Sequence, residues 1–125
     1  MKKLFLILFT SLFLMSCKGQ ETEHFKLLNS AQYEQIISEN EVTIIDVRTP
    51  GEYQSGHIKN AQNINVQSGD FKAKMENFDR EKPIYIYCRS GSRSANAGRI
   101  LEEMGFKEIY DLKGGILSWK GKLEK

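Results

Sequence analysis

The sequence predicts an α/β domain, in which a parallel sheet of about five strands carries helices on both faces. Two apolar runs, residues 42–47 and 84–87, are nearly continuous and rich in β-branched or aromatic residues, which is typical of strands buried on both faces. Apolar residues at helical spacing lie between and after these runs. Strands that alternate with helices pair in parallel, because each crossover returns the chain to the same end of the sheet.

Length, composition and charge narrow the functional classes. A chain of 125 residues accommodates one domain, and its apolar (40%) and charged (27%) fractions are ordinary for a globular protein. Lys2 and Lys3 account for the net charge of +2, so the remaining chain is neutral. Nucleic acid is therefore not an expected partner, because phosphate binding needs a basic patch. No feature demands an oligomer, and we expect a monomer.

The first residues have the pattern of an export signal. Two lysines precede a mostly apolar segment, residues 4–14, that is too short for a membrane span. Leu14-Met15-Ser16-Cys17 then resembles a bacterial lipobox, in which the cysteine receives diacylglycerol and an acyl chain such as palmitate. We expect a signal peptide over residues 1–16, a lipidated tether over residues 17–23 and the folded domain over residues 24–125.

The signal-like segment and the lipobox together predict that the protein lies in the bacterial cell envelope. Acyl chains on Cys17 would hold it to a membrane, with the domain facing the periplasm or the exterior. An uncleaved signal anchor, or an ordinary signal peptide with an incidental cysteine, are the alternatives. Lipid on Cys17 would leave Cys88, the other cysteine of the chain, without an intramolecular disulfide partner.

The first half of the domain contains two predicted strands and a helix. Residues 25–28 predict a short edge strand. Ser30 is a candidate N-cap for a helix whose apolar face comprises Tyr33, Ile36 and Ile37. Residues 42–47 form the first buried strand, and Thr49-Pro50-Gly51 predicts a loop after it.

The second half repeats the alternation. We expect a short strand at residues 63–66, a helix over residues 70–78 and the buried strand 84–87, which Pro83 introduces. A further helix has Gly105 just after its end and an apolar stripe of Ala97, Ile100, Leu101 and Met104. A last strand near residues 108–110 and a short helix over residues 114–120 complete the chain.

The loop that follows strand 84–87 contains the residues that predict a reactive site. Ligands of parallel α/β sheets bind at the carboxyl ends of the strands, and Cys88 lies there. None of the residues from Arg89 to Ser94 is proline, so their N–H groups can form an anion nest, and Gly91 can adopt a positive φ. The start of the next helix and the charges of Arg89 and Arg93 also favour a thiolate over a thiol. We therefore predict that Cys88 is a reactive nucleophile rather than an inert buried cysteine.

Four segments, in order along the chain, resemble the rhodanese family. Cys88 to Arg93 (CRSGSR) resembles the family's active-site pattern Cys-Arg-x-Gly-x-Arg. The other segments are Asp46 to Tyr53 (DVRTPGEY), Gly56 to Ala61 (GHIKNA) and Leu112 to Trp119 (LKGGILSW). Together they span nearly all of the chain after the tether.

The resemblance implies the rhodanese-like fold and a sulfurtransferase that needs no metal or cofactor. Cys88 would take sulfur from a small anion such as thiosulfate, become a persulfide, and pass the sulfur to a thiol or to cyanide. The residues expected to bind the anion are those of the loop: Arg89, Ser90, Gly91, Ser92, Arg93 and Ser94. Among them, Arg93 is the preferred contact for thiosulfate.

Other polar residues of the four segments are expected to support the structure. Asp46 and Arg48 would tie the strand to the following loop through Glu52, and His57 would fix a loop by hydrogen bonds. Gly114 and Gly115 permit a tight turn, and Trp119 is expected in the core.

Three other functions remain open at this point. Certain dual-specificity phosphatases share the rhodanese architecture, but their Cys-to-Arg spacing is longer than the four residues between Cys88 and Arg93. A carrier would pass persulfide sulfur to a protein without turning over small donors. A redox or thiol-repair protein would instead oxidise its single reactive cysteine.

Overall fold

The computed structural model describes residues 21–125. The predicted signal peptide, Cys17 and most of the tether lie outside this range, so those expectations stay predictions. Within residues 21–125, no helix is both long enough and apolar enough to cross a membrane.

The domain is built on one sheet of five parallel strands in the order β1-β5-β4-β2-β3. The strands are β1 (Phe25–Leu28), β2 (Thr43–Asp46), β3 (Gln62–Asn63), β4 (Ile84–Tyr87) and β5 (Ile109–Leu112). Strand β4 is central and pairs with β2 on one side and β5 on the other. The predicted fold class is confirmed.

Four α-helices and one 3₁₀ helix connect and cover the strands. They are α1 (Ser30–Glu39), α2 (Pro50–Ser55), α3 (Phe71–Met75), α4 (Ser92–Glu103) and the 3₁₀ helix Gly115–Ser118. Each α-helix of the described chain lies in the connection between two strands. Helices in such connections cover the faces of a parallel sheet.

The pleat of the strands divides the core into two apolar clusters, one on each face. Ile45, Ile86 and Cys88 belong to the cluster that α3 and α4 cover through residues such as Met75 and Leu101. Ile44, Tyr85, Tyr87 and Leu112 belong to the opposite cluster, with Tyr33 of α1. Burial on both faces explains why β2 and β4 have continuous apolar sequences.

The predicted N-cap of α1 was wrong by one residue. Asn29 caps the helix: its side chain accepts from the Gln32 N–H, and the Gln32 side chain accepts from the Asn29 N–H. This reciprocal pair satisfies two backbone donors, which Ser30 at the same place could not do with Tyr33. The Ser30 Oγ instead accepts from the Lys120 N–H, and so holds the C-terminal segment.

The loop predicted at residues 49–51 is the start of α2. Thr49 and Glu52 form a capping box, and Pro50 occupies the first helical turn, where a missing N–H costs nothing. Three smaller differences concern lengths. The strand predicted at residues 63–66 is Gln62–Asn63, helix 70–78 is reduced to Phe71–Met75, and the final helix is the 3₁₀ turn. Trp119 is only half-buried, with its ring edge-on to Tyr33.

Candidate active site

The candidate active site lies where β2, β4 and β5 end. Cys88 follows β4 directly, Asp46 is the last residue of β2, and Asp111 lies in β5 beside Ile86. Because the three strands are parallel neighbours, three residues that are far apart in sequence lie at the same edge of the sheet.

Cys88 is enclosed by its own loop. Its side chain is 1% exposed, and the Gly91 N–H donates to Sγ at 3.0 Å. Gly91 makes this contact with φ at 111°, a conformation that residues with a Cβ rarely adopt. Helix α4 begins at the next residue, so its first N–H groups have no intrahelical acceptor and face the same end of the sheet as the sulfur.

The 3₁₀ helix fixes the backbone of the cysteine loop from behind. The Ile116 N–H donates to the Cys88 carbonyl at 2.9 Å, and the Leu117 N–H donates to the Arg89 carbonyl at 3.2 Å. Gly115 has φ at 64°, and a Cβ there would come within 2.7 Å of the Cys88 carbonyl oxygen. Gly115 therefore lets the C-terminal segment approach the backbone of the cysteine loop.

Ser94 links Cys88 to a buried carboxyl. The Cys88 Sγ–H donates to Ser94 Oγ at 3.3 Å, and the Ser94 hydroxyl lies 2.9 Å from Asp111 Oδ2. Asp111 is 1% exposed, and burial raises the pKa of its carboxyl to about 7. Sequence reasoning missed Asp111. The signal was an acidic residue inside an otherwise apolar strand, since a charge in such a position is rarely there for packing.

The guanidinium of Arg93 forms an ion pair with Glu52. Its Nη1 donates to Glu52 Oε1 at 2.7 Å and its Nη2 to Oε2 at 2.8 Å. This two-point hydrogen bond lowers the pKa of Glu52 to about 2 and raises that of Arg93. The expectation that Glu52 joins Arg48 was wrong, since Glu52 instead connects α2 to the first turn of α4. A thiosulfate contact by Arg93 would have to share the guanidinium with Glu52.

Asp46 and Arg48 form a separate buried ion pair. Arg48 Nη2 donates to Asp46 Oδ2 at 2.7 Å and to the Gly56 carbonyl at 2.6 Å, which ties β2 to the loop after α2. His57 lies on that loop, its Nδ1 2.9 Å from the Tyr53 carbonyl and its ring stacked on Tyr53. Its backbone pairs with Glu124. The contacts of these three residues are those expected of structural support.

The loop side chains divide into two groups. Arg89, Ser90 and Ser92 are exposed to solvent. Gly91 and Ser94 touch Sγ itself. The six residues predicted to bind substrate therefore surround the cysteine, although their roles toward a substrate stay predictions.

Comparisons with known proteins identify the family and agree with the fold. Residues 29–122 match the model of the rhodanese-like domain. The chain is 41% identical over 81 residues to the uncharacterised protein YqhL of Bacillus subtilis, covering 65% of this chain and 63% of that one. It is 32% identical over 96 residues to the thiosulfate sulfurtransferase GlpE of Coxiella burnetii, covering 77% of this chain and 88% of that one. A rhodanese-related protein of Thermoplasma volcanium superposes with a TM-score of 0.69 at 32% identity, covering 79% of this chain and 97% of that structure.

Proposed function

The chain belongs to the rhodanese-like domain family, and from that premise we propose that it is a sulfurtransferase that works through a persulfide on Cys88. The donor would be a small sulfur-containing anion such as thiosulfate. The acceptor would be a thiol, or cyanide in an assay. The observation that carries the proposal is the Gly91 N–H that donates to the Cys88 sulfur at the end of the central strand.

The reaction has two covalent steps. The Cys88 thiolate attacks the outer sulfur of thiosulfate, the sulfur–sulfur bond of the donor breaks, and sulfite leaves with the electron pair. The acceptor then attacks the outer sulfur of the persulfide, and the electron pair of that bond returns to Cys88 as thiolate. Negative charge stays on sulfur throughout, so one set of fixed N–H donors can stabilise the thiolate and the persulfide alike.

The burial of Cys88 supports this chemistry. A sulfur that is 1% exposed is shielded from bulk water, and donors around it act more strongly than they would in solvent. The exposed Arg89 would attract the donor anion to the loop, and Arg93, whose guanidinium is paired with Glu52, lies in the first turn of α4.

Steady-state kinetics test the proposal. The full chain is supplied with thiosulfate and cyanide, and thiocyanate is followed while both concentrations vary. We expect parallel double-reciprocal lines, as a covalent intermediate requires, and loss of thiocyanate formation in Cys88→Ser. Ser38→Ala, which removes an exposed hydroxyl of α1, is the matched control and should retain the wild-type rate.

Other outcomes would overturn the proposal in identifiable ways. Equal rates for wild type and Cys88→Ser would remove Cys88 from the reaction. Persulfide formation without thiocyanate would contradict turnover and favour a sulfur carrier. Hydrolysis of an aryl phosphate that depends on Cys88 would favour a phosphatase.

We also propose that the protein is exported and lipid-anchored through Cys17, which the signal-like segment before it supports. Expression of the full chain in bacteria fed labelled palmitate tests this. Wild type should carry label and sediment with membranes, whereas Cys17→Ala should carry none. Label on both proteins, or on neither, would contradict the anchor.

A further inference from the structure

A hydrogen-bonded chain of three side chains runs inward from the candidate nucleophile. Cys88 Sγ lies 3.3 Å from Ser94 Oγ, and Ser94 Oγ lies 2.9 Å from Asp111 Oδ2. All three residues are at most 1% exposed. The Ser94 hydroxyl could also donate to the Gly91 carbonyl at 3.2 Å, but the carboxylate is both closer and charged.

The surroundings of Asp111 do little to stabilise a permanently ionised carboxylate. Its Oδ1 is buried and has no hydrogen-bond partner of good geometry among residues 21–125, and no cation of the described chain pairs with it. Burial raises the pKa of the carboxyl by more than the Ser94 hydroxyl and the nearby Leu112 N–H lower it. A buried carboxylate with one oxygen unsatisfied is costly, whereas a neutral carboxylic acid needs less compensation. Asp111 is therefore suited to taking up a proton.

We propose that Asp111 takes up the thiol proton of Cys88 through the hydroxyl of Ser94, which leaves Cys88 as the thiolate that the proposed sulfur transfer requires. Asp111 does not touch the sulfur, so it acts only through Ser94.

The transfer reverses every hydrogen bond of the chain and loses none. Before it, the Cys88 thiol donates to Ser94 and the Ser94 hydroxyl donates to the Asp111 carboxylate. The sulfur-bound proton moves to Ser94 Oγ as the hydroxyl proton moves to Asp111 Oδ2. Afterwards the neutral Asp111 donates to Ser94 and Ser94 donates to the thiolate. One negative charge has moved from carboxyl to sulfur, with no change in total charge and no electron transferred.

The surroundings favour the charge on the sulfur side. The Gly91 N–H donates to Sγ. Arg93 precedes Ser94 on α4, and its pKa is raised first by Glu52 and to a smaller extent by Cys88. Near Asp111 the titratable group is Tyr33, whose hydroxyl donates to the Ile86 carbonyl and is therefore not available to donate to the carboxylate. Burial and, after it, Asp111 raise the pKa of Tyr33, which stays neutral.

The test is a titration of thiolate by its ultraviolet absorbance, on the full chain, with the signal of the Cys88→Ser protein subtracted. The subtraction removes the contributions of tyrosines and of Cys17. A shared proton predicts two steps: a partial rise of thiolate near pH 7, where burial sets the pKa of Asp111, and the remainder at higher pH. Asp111→Asn should lose the first step and keep a single rise, and Ser94→Ala should diminish the first step, because its thiolate has lost a donor.

A single step in wild type, or an unchanged first step in Asp111→Asn, would overturn the proposal. The wild-type titration decides even if a variant fails to fold. Rates of alkylation by iodoacetamide should follow the same two-step profile. Neither measurement involves a sulfur donor, so a two-step titration without thiocyanate formation would reject the sulfurtransferase and retain the proton transfer. Thiocyanate formation with a one-step titration would retain the sulfurtransferase and reject the proton transfer.

Discussion

Replacement of Asp111 by Asn should change how the stability of the domain depends on pH. In the folded chain, burial raises the pKa of this carboxyl from 3.8 to about 7. Between those values the unfolded chain releases the proton and the folded chain retains it. The free energy of unfolding of wild type therefore falls as pH rises, by about 1.4 kcal/mol per unit and about 4 kcal/mol in all. Asn has no proton to lose, so the variant lacks this decline.

The comparison needs only two conditions. Urea unfolding of wild type and Asp111→Asn at about pH 5 and about pH 8 should show the variant gaining about 3 kcal/mol relative to wild type over that interval. Replacement of the exposed Asp70, whose pKa the Ser68 hydroxyl lowers from 3.8, is the control and should leave the difference unchanged, because this carboxyl is ionised in the folded and in the unfolded chain at both pH values. If the difference between Asp111→Asn and wild type is the same at both pH values, Asp111 titrates as an ordinary carboxyl and the argument from burial is refuted.

Two further substitutions test the packing around the site. Gly98→Ala should lower the free energy of unfolding by about 1–3 kcal/mol in urea unfolding, because a Cβ there overlaps the Phe25 ring; Gly51→Ala, with no atom within 4 Å, is the control, and equal effects would contradict the reasoning. Arg48→Met should cost about 3–5 kcal/mol, since Asp46 would remain buried and unpaired; a cost below about 1 kcal/mol would show that Asp46 has another partner or takes a proton.

The sheet and the position of Cys88 at its edge could be predicted because their signals are local. A strand buried on both faces is apolar throughout, as β4 is, and a glycine after a cysteine at a strand end favours a loop folded over the sulfur. The helix α2 was missed because Pro50 and Gly51 suggested a turn, while the capping box of Thr49 and Glu52 was present in the sequence. Two competing local signals were available, and the one that satisfies backbone donors prevailed.

The partners of charged residues could not be predicted in the same way. Arg93 and Glu52 are 41 positions apart, and only the packing of α2 beside α4 brings them together. Asp111 depends on the same kind of fact, because the register of β5 against β4 places it behind Ser94. Sequence spacing describes contacts within an element, whereas these contacts join different elements.

The proposed sulfur transfer requires Cys88 itself to carry the sulfur. Incubation of the full chain with thiosulfate, followed by peptide mass spectrometry under non-reducing conditions, tests it most directly. We expect a gain of one sulfur atom on the peptide that contains Cys88, removed by cyanide, and no gain on that peptide in a folded Cys88→Ser protein. An unmodified Cys88 in folded wild type, or the same sulfur on the Cys88→Ser peptide, would contradict it.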